Sequence, residues 1–403
     1  MDNRNMWKKQ IIFTASVFSA LTACVLLSAS SYADELSASA KSIQSKKSID
    51  PVMNDYALIA SGDKRSKKRA HDMLFEKYGF NTSVQKRLDL YQGKYKETIQ
   101  SRLERSGRYA GTMAWIFRSK GLPQELAFLP IIESGYDPFA RSHMSASGPW
   151  QFMPHTARHY GLKMDWWVDE RRDPLKSTEA AANYLQDLFE KFESWNLALA
   201  AYNAGEGKVR RALRKTRTRD YWKVRKTRLL KNETRNYVPS YIASTAIALY
   251  PEQYGFEDIV YNKPFSFDLV TVDTPIALEL VASLTGSKTS EIRRLNPELK
   301  RSSTPPNVSH YTLRIPEGTR ELFLANFEEI RDEYPALVNL YTVRQGDTLG
   351  KIAKNIGTSI KSLLDINSLG KQAMIFAGKT ILLPFEKSAE LIKGKNYKIY
   401  NDL

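Results

Sequence analysis

The residues best placed to do chemistry lie in the stretch 122–154, LPQELAFLPIIESGYDPFARSHMSASGPWQFMP. At about 100° per residue, Leu122, Leu126, Leu129 and Glu133 fall in one narrow sector of a helix. Glu133 therefore takes a position on an apolar stripe where a leucine is expected, and Ser134-Gly135 stop the helix immediately after it. A carboxyl group half withdrawn from water has a raised pKa and stays protonated near neutral pH, as a general acid must. An exposed glutamate at a helix C-terminus fits the same residues. Pro123 suits the first helical position and Glu125 the positive first turn. Pro130 has no N–H for the carbonyl of Leu126, so a kink is expected just before Glu133.

Four strings then recur in order: Glu133-Ser134, Gly148-Pro149-Trp150-Gln151-Phe152-Met153-Pro154, Ala201-Tyr202-Asn203-Ala204-Gly205, and Tyr237 within RNYVP. Their order and spacing resemble the lytic transglycosylase family of lysozyme-like enzymes. Glycoside cleavage usually takes two carboxylates, and here only one stands out. Asp137 precedes Pro138 outside the helix, while Asp165, Asp169 and Asp173 follow with no fixed geometry to Glu133. The resemblance implies that one glutamate suffices. It protonates the bond between N-acetylmuramic acid and N-acetylglucosamine, then takes the proton of the muramyl C6 hydroxyl, leaving a 1,6-anhydro end. Carried over by motif, Glu133 is the acid/base, and Ser134, Gln151, Tyr202, Asn203 and Tyr237 are groove residues orienting the glutamate or the sugars. The competing expectations are a lysozyme-type hydrolase, with Asp165 or Asp173 activating water, and a non-catalytic wall-binding protein. His155 and His159 lack the glutamate of a zincin, and no phosphate loop, dinucleotide fingerprint or nucleophile elbow occurs, so neither metal nor cofactor is expected.

The elements that must hold these residues are mostly helical. Leu88, Tyr91, Tyr95, Ile99 and Leu103 recur at helical intervals from Val84, and a second helix is expected from about Gly107 to Ser119. A helix capped by Ser177, with Glu179 in its first turn, should bury Ala181, Leu185, Leu188 and Phe192. An alanine-rich helix should end at Asn203-Ala204-Gly205, and a last one should run from about Glu233 to Leu249 with Pro239 inside. Trp150 suits a sugar face or the core. The six tryptophans from Trp115 to Trp222 suggest a carbohydrate groove.

The 403 residues allow two or three domains, and the net charge of +16 favours anionic polymers. Residues 1–33 read as a leader. Lys8-Lys9 precede an apolar run, and Ser31-Tyr32-Ala33 fits a cleavage site. Leu21-Thr22-Ala23-Cys24 also has the form of a lipobox, and an uncleaved anchor is a third reading. Export to the periplasm, with possible membrane anchorage, makes nucleic acid an unfavoured partner. Residues 34–80 read as a basic, flexible tether and 81–255 as the catalytic domain. Residues 208–231 hold twelve Lys and Arg against Asp220 alone, suited to carboxylate-bearing stem peptides or simply to water.

The remainder contains a repeat. Residues 270–296 align without gaps on 341–367 at a constant offset of 71, pairing Val272 with Val343, Ala282 with Ala353 and Asn296 with Asn367. Each copy ends in a β-like run, so strand–helix–helix–strand is expected. The second copy, with Tyr341-Thr342-Val343-Arg344-Gln345-Gly346-Asp347-Thr348-Leu349, resembles a LysM module and implies binding to N-acetylglucosamine-containing glycan. The first copy has Pro275-Ile276-Ala277 in place of the Gly-Asp-Thr turn and an insertion near Pro305-Pro306, so glycan binder and spacer both remain open. The expected fold is α+β: a mostly α-helical lysozyme-like domain, a divergent LysM-like repeat over 264–335, a LysM module over 339–385 and a tail over 386–403.

Overall fold

The computed structural model describes residues 64–305, 308–330, 339–355, 358–367, 369–370 and 372–383, all within the unit Gly62–Leu403. The leader, residues 34–63 and the tail 386–403 lie outside them. Helix α1 (Lys64–Tyr78) occupies part of the stretch expected to be a tether. Its Leu74 and Tyr78 are buried, and the Tyr78 ring meets Tyr241 at 5.5 Å. The helical period that begins at Val84 is divided in two. Helix α2 (Thr82–Gln92) is capped by the Asn81 side chain and stops at Gly93, and α3 (Lys96–Ser119) follows.

Gly107, expected to begin a helix, lies inside α3. A Cβ there would come within 2.7 Å of the Asn262 carbonyl oxygen and 2.8 Å of Tyr261 Cβ. The glycine thus marks a close backbone crossing, not a boundary.

A 3-10 turn (Gln124–Phe128) leads into α4 (Pro130–Glu133), and α5 (Pro154–His159) follows the loop. Pro130 does not bend a longer helix. It occupies the first position of a new one, where no N–H is needed. The cap of α6 (Pro174–Phe192) also differs from expectation. Asp173 caps it by accepting from the amides of Leu175 and Lys176, and Ser177 lies within the helix. Pro174 at the first position fixes the cap one residue earlier, which also leaves Glu179 beyond the first turn.

Helix α7 (Trp195–Ala204) ends at Gly205, whose φ of 88° turns the chain into α8 (Glu206–Thr216). After α9 (Tyr221–Val224) comes α10 (Asn232–Leu249), the central helix, which contacts α1, α2, α4 and α7. Val238, Tyr241, Ile242, Ala243, Ala246 and Ile247 are all buried. Pro239 leaves the Arg235 carbonyl without its helical partner. Arg225 Nε at 2.6 Å and the Tyr221 hydroxyl at 3.1 Å take that carbonyl instead. The other eleven basic residues of 208–231 are exposed.

Both repeats have the expected order. In the first, β1 (Asp268–Val272) pairs antiparallel with β2 (Tyr311–Ile315) around α11 (Leu278–Leu284) and α12 (Thr289–Leu295), and α13 (Arg320–Ile330) packs against them. In the second, β3 (Asn339–Thr342) pairs with β4 (Thr380–Leu383) around α14 (Leu349–Asn355) and α15 (Ile360–Ile366). The offset of 71 carries each helix of one repeat onto the other, end for end. Asn296 and Asn367 also match. Each is fully buried, donates to the carbonyl four residues earlier (Ile292 or Leu363), and both donates to and accepts from one residue of the closing strand, Arg314 or Leu382. Among the described residues no helix is long and apolar enough to cross a membrane.

Replacing Gly107 by alanine should improve intrinsic helix propensity by about 1 kcal/mol yet lower the melting temperature, because the new methyl meets backbone that cannot yield. Thermal unfolding of the Gly107→Ala chain measures the sign.

Candidate active site

Glu133 ends a helix of only four residues, so its placement depends on what grips that helix. Two arginines of α3 do so: Arg102 Nη1 donates to the Ile131 carbonyl at 2.8 Å, and Arg105 Nε to that of Gly135 at 2.6 Å. Gly135 and Tyr136 have φ of 64° and 61° and turn the chain away sharply. The Tyr136 hydroxyl donates to the Ala127 carbonyl at 2.6 Å, which anchors this turn beneath the site.

The Glu133 carboxyl is half-buried and accepts a hydrogen bond from the Tyr237 hydroxyl of α10. Withdrawal from water raises its pKa to about 7. The Tyr237 donor opposes that rise, and the charge of Glu233 adds to it.

The loop facing Glu133 is fastened from several sides. Ser134 Oγ donates to the Pro149 carbonyl and the Tyr202 hydroxyl to that of Trp150, each at 2.8 Å. Gln151 has φ of 49°, and its Nε2 donates to the Gly148 carbonyl at 2.9 Å. Asn203, at the end of α7, accepts from Thr234 Oγ1 at 2.8 Å and donates to Glu233 Oε1 at 3.2 Å. The six residues picked from sequence thus fall into three linked pieces. Tyr237 touches Glu133 directly. Ser134, Gln151 and Tyr202 hold the loop, and Asn203 joins α7 to the start of α10.

Trp150 does not offer a sugar platform. It is fully buried, packs on Phe117 and donates from Nε1 to Thr178 Oγ1 at 2.9 Å. Trp167 is buried too, Trp195 stacks on Phe189, and the Arg301 guanidinium covers Trp166. The tryptophan concentration reflects packing, not a groove lining, at these positions. The other carboxylates are occupied as well. Asp137 accepts from the Phe139 amide, and Asp165 from those of Trp167 and Val168. Burial would raise the Asp169 carboxyl, but paired Arg171 keeps it below the usual range. Asp173 caps α6 and pairs with Arg314 at 2.7 Å.

Sequence reading missed Glu233 and Arg171. Glu233 looks like an ordinary first-turn acid, and nothing in its spacing links it to Asn203. Arg171 Nη1 donates to the carbonyls of Ser145 at 2.7 Å and Phe152 at 3.0 Å, contacts that no local pattern announces.

The transglycosylase SLT domain family matches residues 113–225. The LysM-like domain of lytic transglycosylase MltD matches 266–332, and the LysM domain matches 341–384. Along the chain, a match to the SLT domain is thus followed by two matches to LysM-type domains. Among individual relatives it is similar to membrane-bound lytic murein transglycosylase D of Escherichia coli strain K12. The two are 32% identical over 304 residues, 71% of this chain and 66% of that protein, just under two thirds of the relative's length. The soluble lytic murein transglycosylase of Salmonella typhimurium is 29% identical over 197 residues, 47% of this chain and 30% of that one. The solved 70 kDa soluble lytic transglycosylase of Escherichia coli aligns at 27% identity and a TM-score of 0.31, covering 37% of this chain and 26% of that chain.

A carboxyl whose folded pKa lies above its unfolded value binds more protons when folded, so it lowers stability as pH rises from about 4.5 to about 7. Glu133→Gln removes that penalty. The variant should be more stable than the parent at pH 8, by about 1–3 kcal/mol, and no more stable at pH 4. Paired denaturant titrations at the two pH values measure this.

Proposed function

We propose that the chain is a murein lytic transglycosylase. It would cleave the β-1,4 bond between N-acetylmuramic acid and N-acetylglucosamine without water and leave 1,6-anhydro ends. The observation that carries this reading is Glu133, a half-buried carboxyl with a pKa near 7 that is held by Tyr237 while Asp137, Asp165, Asp169 and Asp173 are engaged elsewhere. Neutral Glu133 gives its proton to the glycosidic oxygen as the muramyl C1–O bond breaks. The resulting carboxylate, to which Tyr237 donates, takes the proton of the C6 hydroxyl. O6 then closes on C1, and the proton count balances with no water consumed. A group that serves first as acid and then as base works best with a pKa near the ambient pH.

Ser134 and Tyr202 support this chemistry through the loop they fasten, and Gln151 and Asn203 border the sugars. The second repeat binds N-acetylglucosamine-containing glycan and keeps the enzyme on its polymer. Its Gln345 and Gly346 are exposed, in keeping with an open binding turn. The leader-like residues and the membrane-bound relative support a periplasmic, membrane-associated location, through Cys24 or an uncleaved segment.

Hydrolysis is the second reading, favoured by one observation: the Glu233 charge reaches Glu133. Mass spectrometry of digested murein distinguishes the two, since anhydro products are one water lighter than hydrolysed ones. Anhydro ends are expected, and Glu133→Gln should lose at least about a thousandfold in rate, the scale of removing an essential acid/base. Because the neutral form starts the reaction, turnover should decline above about pH 7. Tyr237→Phe removes a donor to the carboxylate and should move that decline upward, whereas Glu233→Gln removes a repelling charge and should move it downward. Hydrolysed ends, or full activity in Glu133→Gln, would refute the mechanism.

A further inference from the structure

The first repeat is covered where the second is open. Ile276 aligns with Asp347 of the exposed turn, yet it is fully buried. The stretch between α12 and β2 covers it. The Ile276 amide donates to Thr304 Oγ1 at 2.9 Å, the Thr304 amide to the Ile276 carbonyl at 3.0 Å, and the Leu278 amide to the Ser302 carbonyl at 2.8 Å. The same stretch lies against the SLT domain. The Asp169 amide donates to the Glu298 carbonyl and the Lys300 amide to that of Trp167, both at 2.8 Å, and Val168 and Leu299 pair as a bridge within one buried cluster.

From this contact two routes reach the loop opposite Glu133. Asp169 grips Arg171 with both carboxylate oxygens, at 2.9 and 2.8 Å, and Arg171 holds the carbonyls at both ends of the loop, Ser145 and Phe152. A Cβ on Gly148 would fall 1.7 Å from the Arg171 carbonyl oxygen, so this strand presses directly on the loop. By the second route, Arg314 of β2 pairs with buried Asp173 at 2.7 Å, Asp173 caps α6, and Thr178 of α6 takes Trp150 Nε1. The gripped loop contains two non-glycine residues in left-handed backbone, Ser145 at 66° and Gln151 at 49°. Such conformations persist only where surroundings over-determine them.

We propose that the first repeat does not read glycan but braces the active-site loop, with Arg171 and Arg314 as positioning residues that keep Gln151 and the Pro149–Trp150 carbonyls in place. The consequence for catalysis rests on the transglycosylase reading; the mechanical part does not. The test is hydrogen exchange on the full chain, comparing the parent with Arg171→Lys and Arg314→Lys. Each variant keeps the charge and loses the fork.

Amides of 145–152 should exchange about tenfold faster in both variants, even though Arg314 is far away in sequence. On short soluble murein glycan, kcat should fall about tenfold while the alkaline decline stays near pH 7 and binding to whole sacculi is unchanged. Should Arg314→Lys fail to fold, Leu299→Ala thins the same contact and should loosen the same amides. Protection changing only around the substituted residue would overturn the proposal. So would lost sacculus binding with loop protection and kcat at parent values. Absence of anhydro product from the parent would remove the enzymatic reading and leave the exchange result to stand or fall by itself.

Discussion

A carboxyl group held partly out of water beside a tyrosine hydroxyl is costly to keep charged, and the helices around Glu133 hold it in that setting. Glu133 gains no support from the length of its helix, which is a single turn. Support comes from outside: arginines of α3 on the carbonyls around it, and Tyr237 of the buried central helix on the carboxylate itself. Desolvation and the Glu233 charge push its proton affinity up, and the Tyr237 donor restrains the rise. The balance leaves the group near neutrality, where both of its protonation states are accessible.

Two prolines show how the backbone accommodates that placement. Pro130 starts α4 and so fixes where Glu133 falls one turn later. Pro239 sits inside α10 close to Tyr237, and the carbonyl it orphans is taken by Arg225 and Tyr221. The basic segment 208–231 therefore includes Arg225 in an internal duty, while its other cations are exposed. The loop opposite Glu133 is likewise defined by outside fastenings, since its own backbone is strained at Ser145 and Gln151.

Much of this was legible in the sequence because it is local or repeated. The helix end at Glu133 was legible from Ser134-Gly135, but the single stripe from Leu122 was not, because a 3-10 turn and a separate one-turn helix replace the continuous helix it assumed. The two βααβ units follow from a gap-free offset that the structure reproduces helix for helix. Family motifs brought Tyr202, Asn203 and Tyr237 into consideration. What was not legible depends on contacts between distant segments. Gly107 looked like a boundary because its crossing partner, Asn262, lies far along the chain. Trp150 suited a sugar face as well as the core because composition cannot report that Phe117 already packs on it, nor that Arg301 covers Trp166. Ser177 looked like a cap because serine often is one, but Pro174 had already set the start of α6.

The most direct measurement is a carbon-13 NMR titration of the chain labelled at glutamate side-chain carboxyls, with the Glu133 signal assigned by its loss in Glu133→Gln. A midpoint near 7, the value set by its half-buried position, is expected. A midpoint near 4.5, the value of a freely hydrated glutamate, would contradict the central claim that this carboxyl is withheld from water.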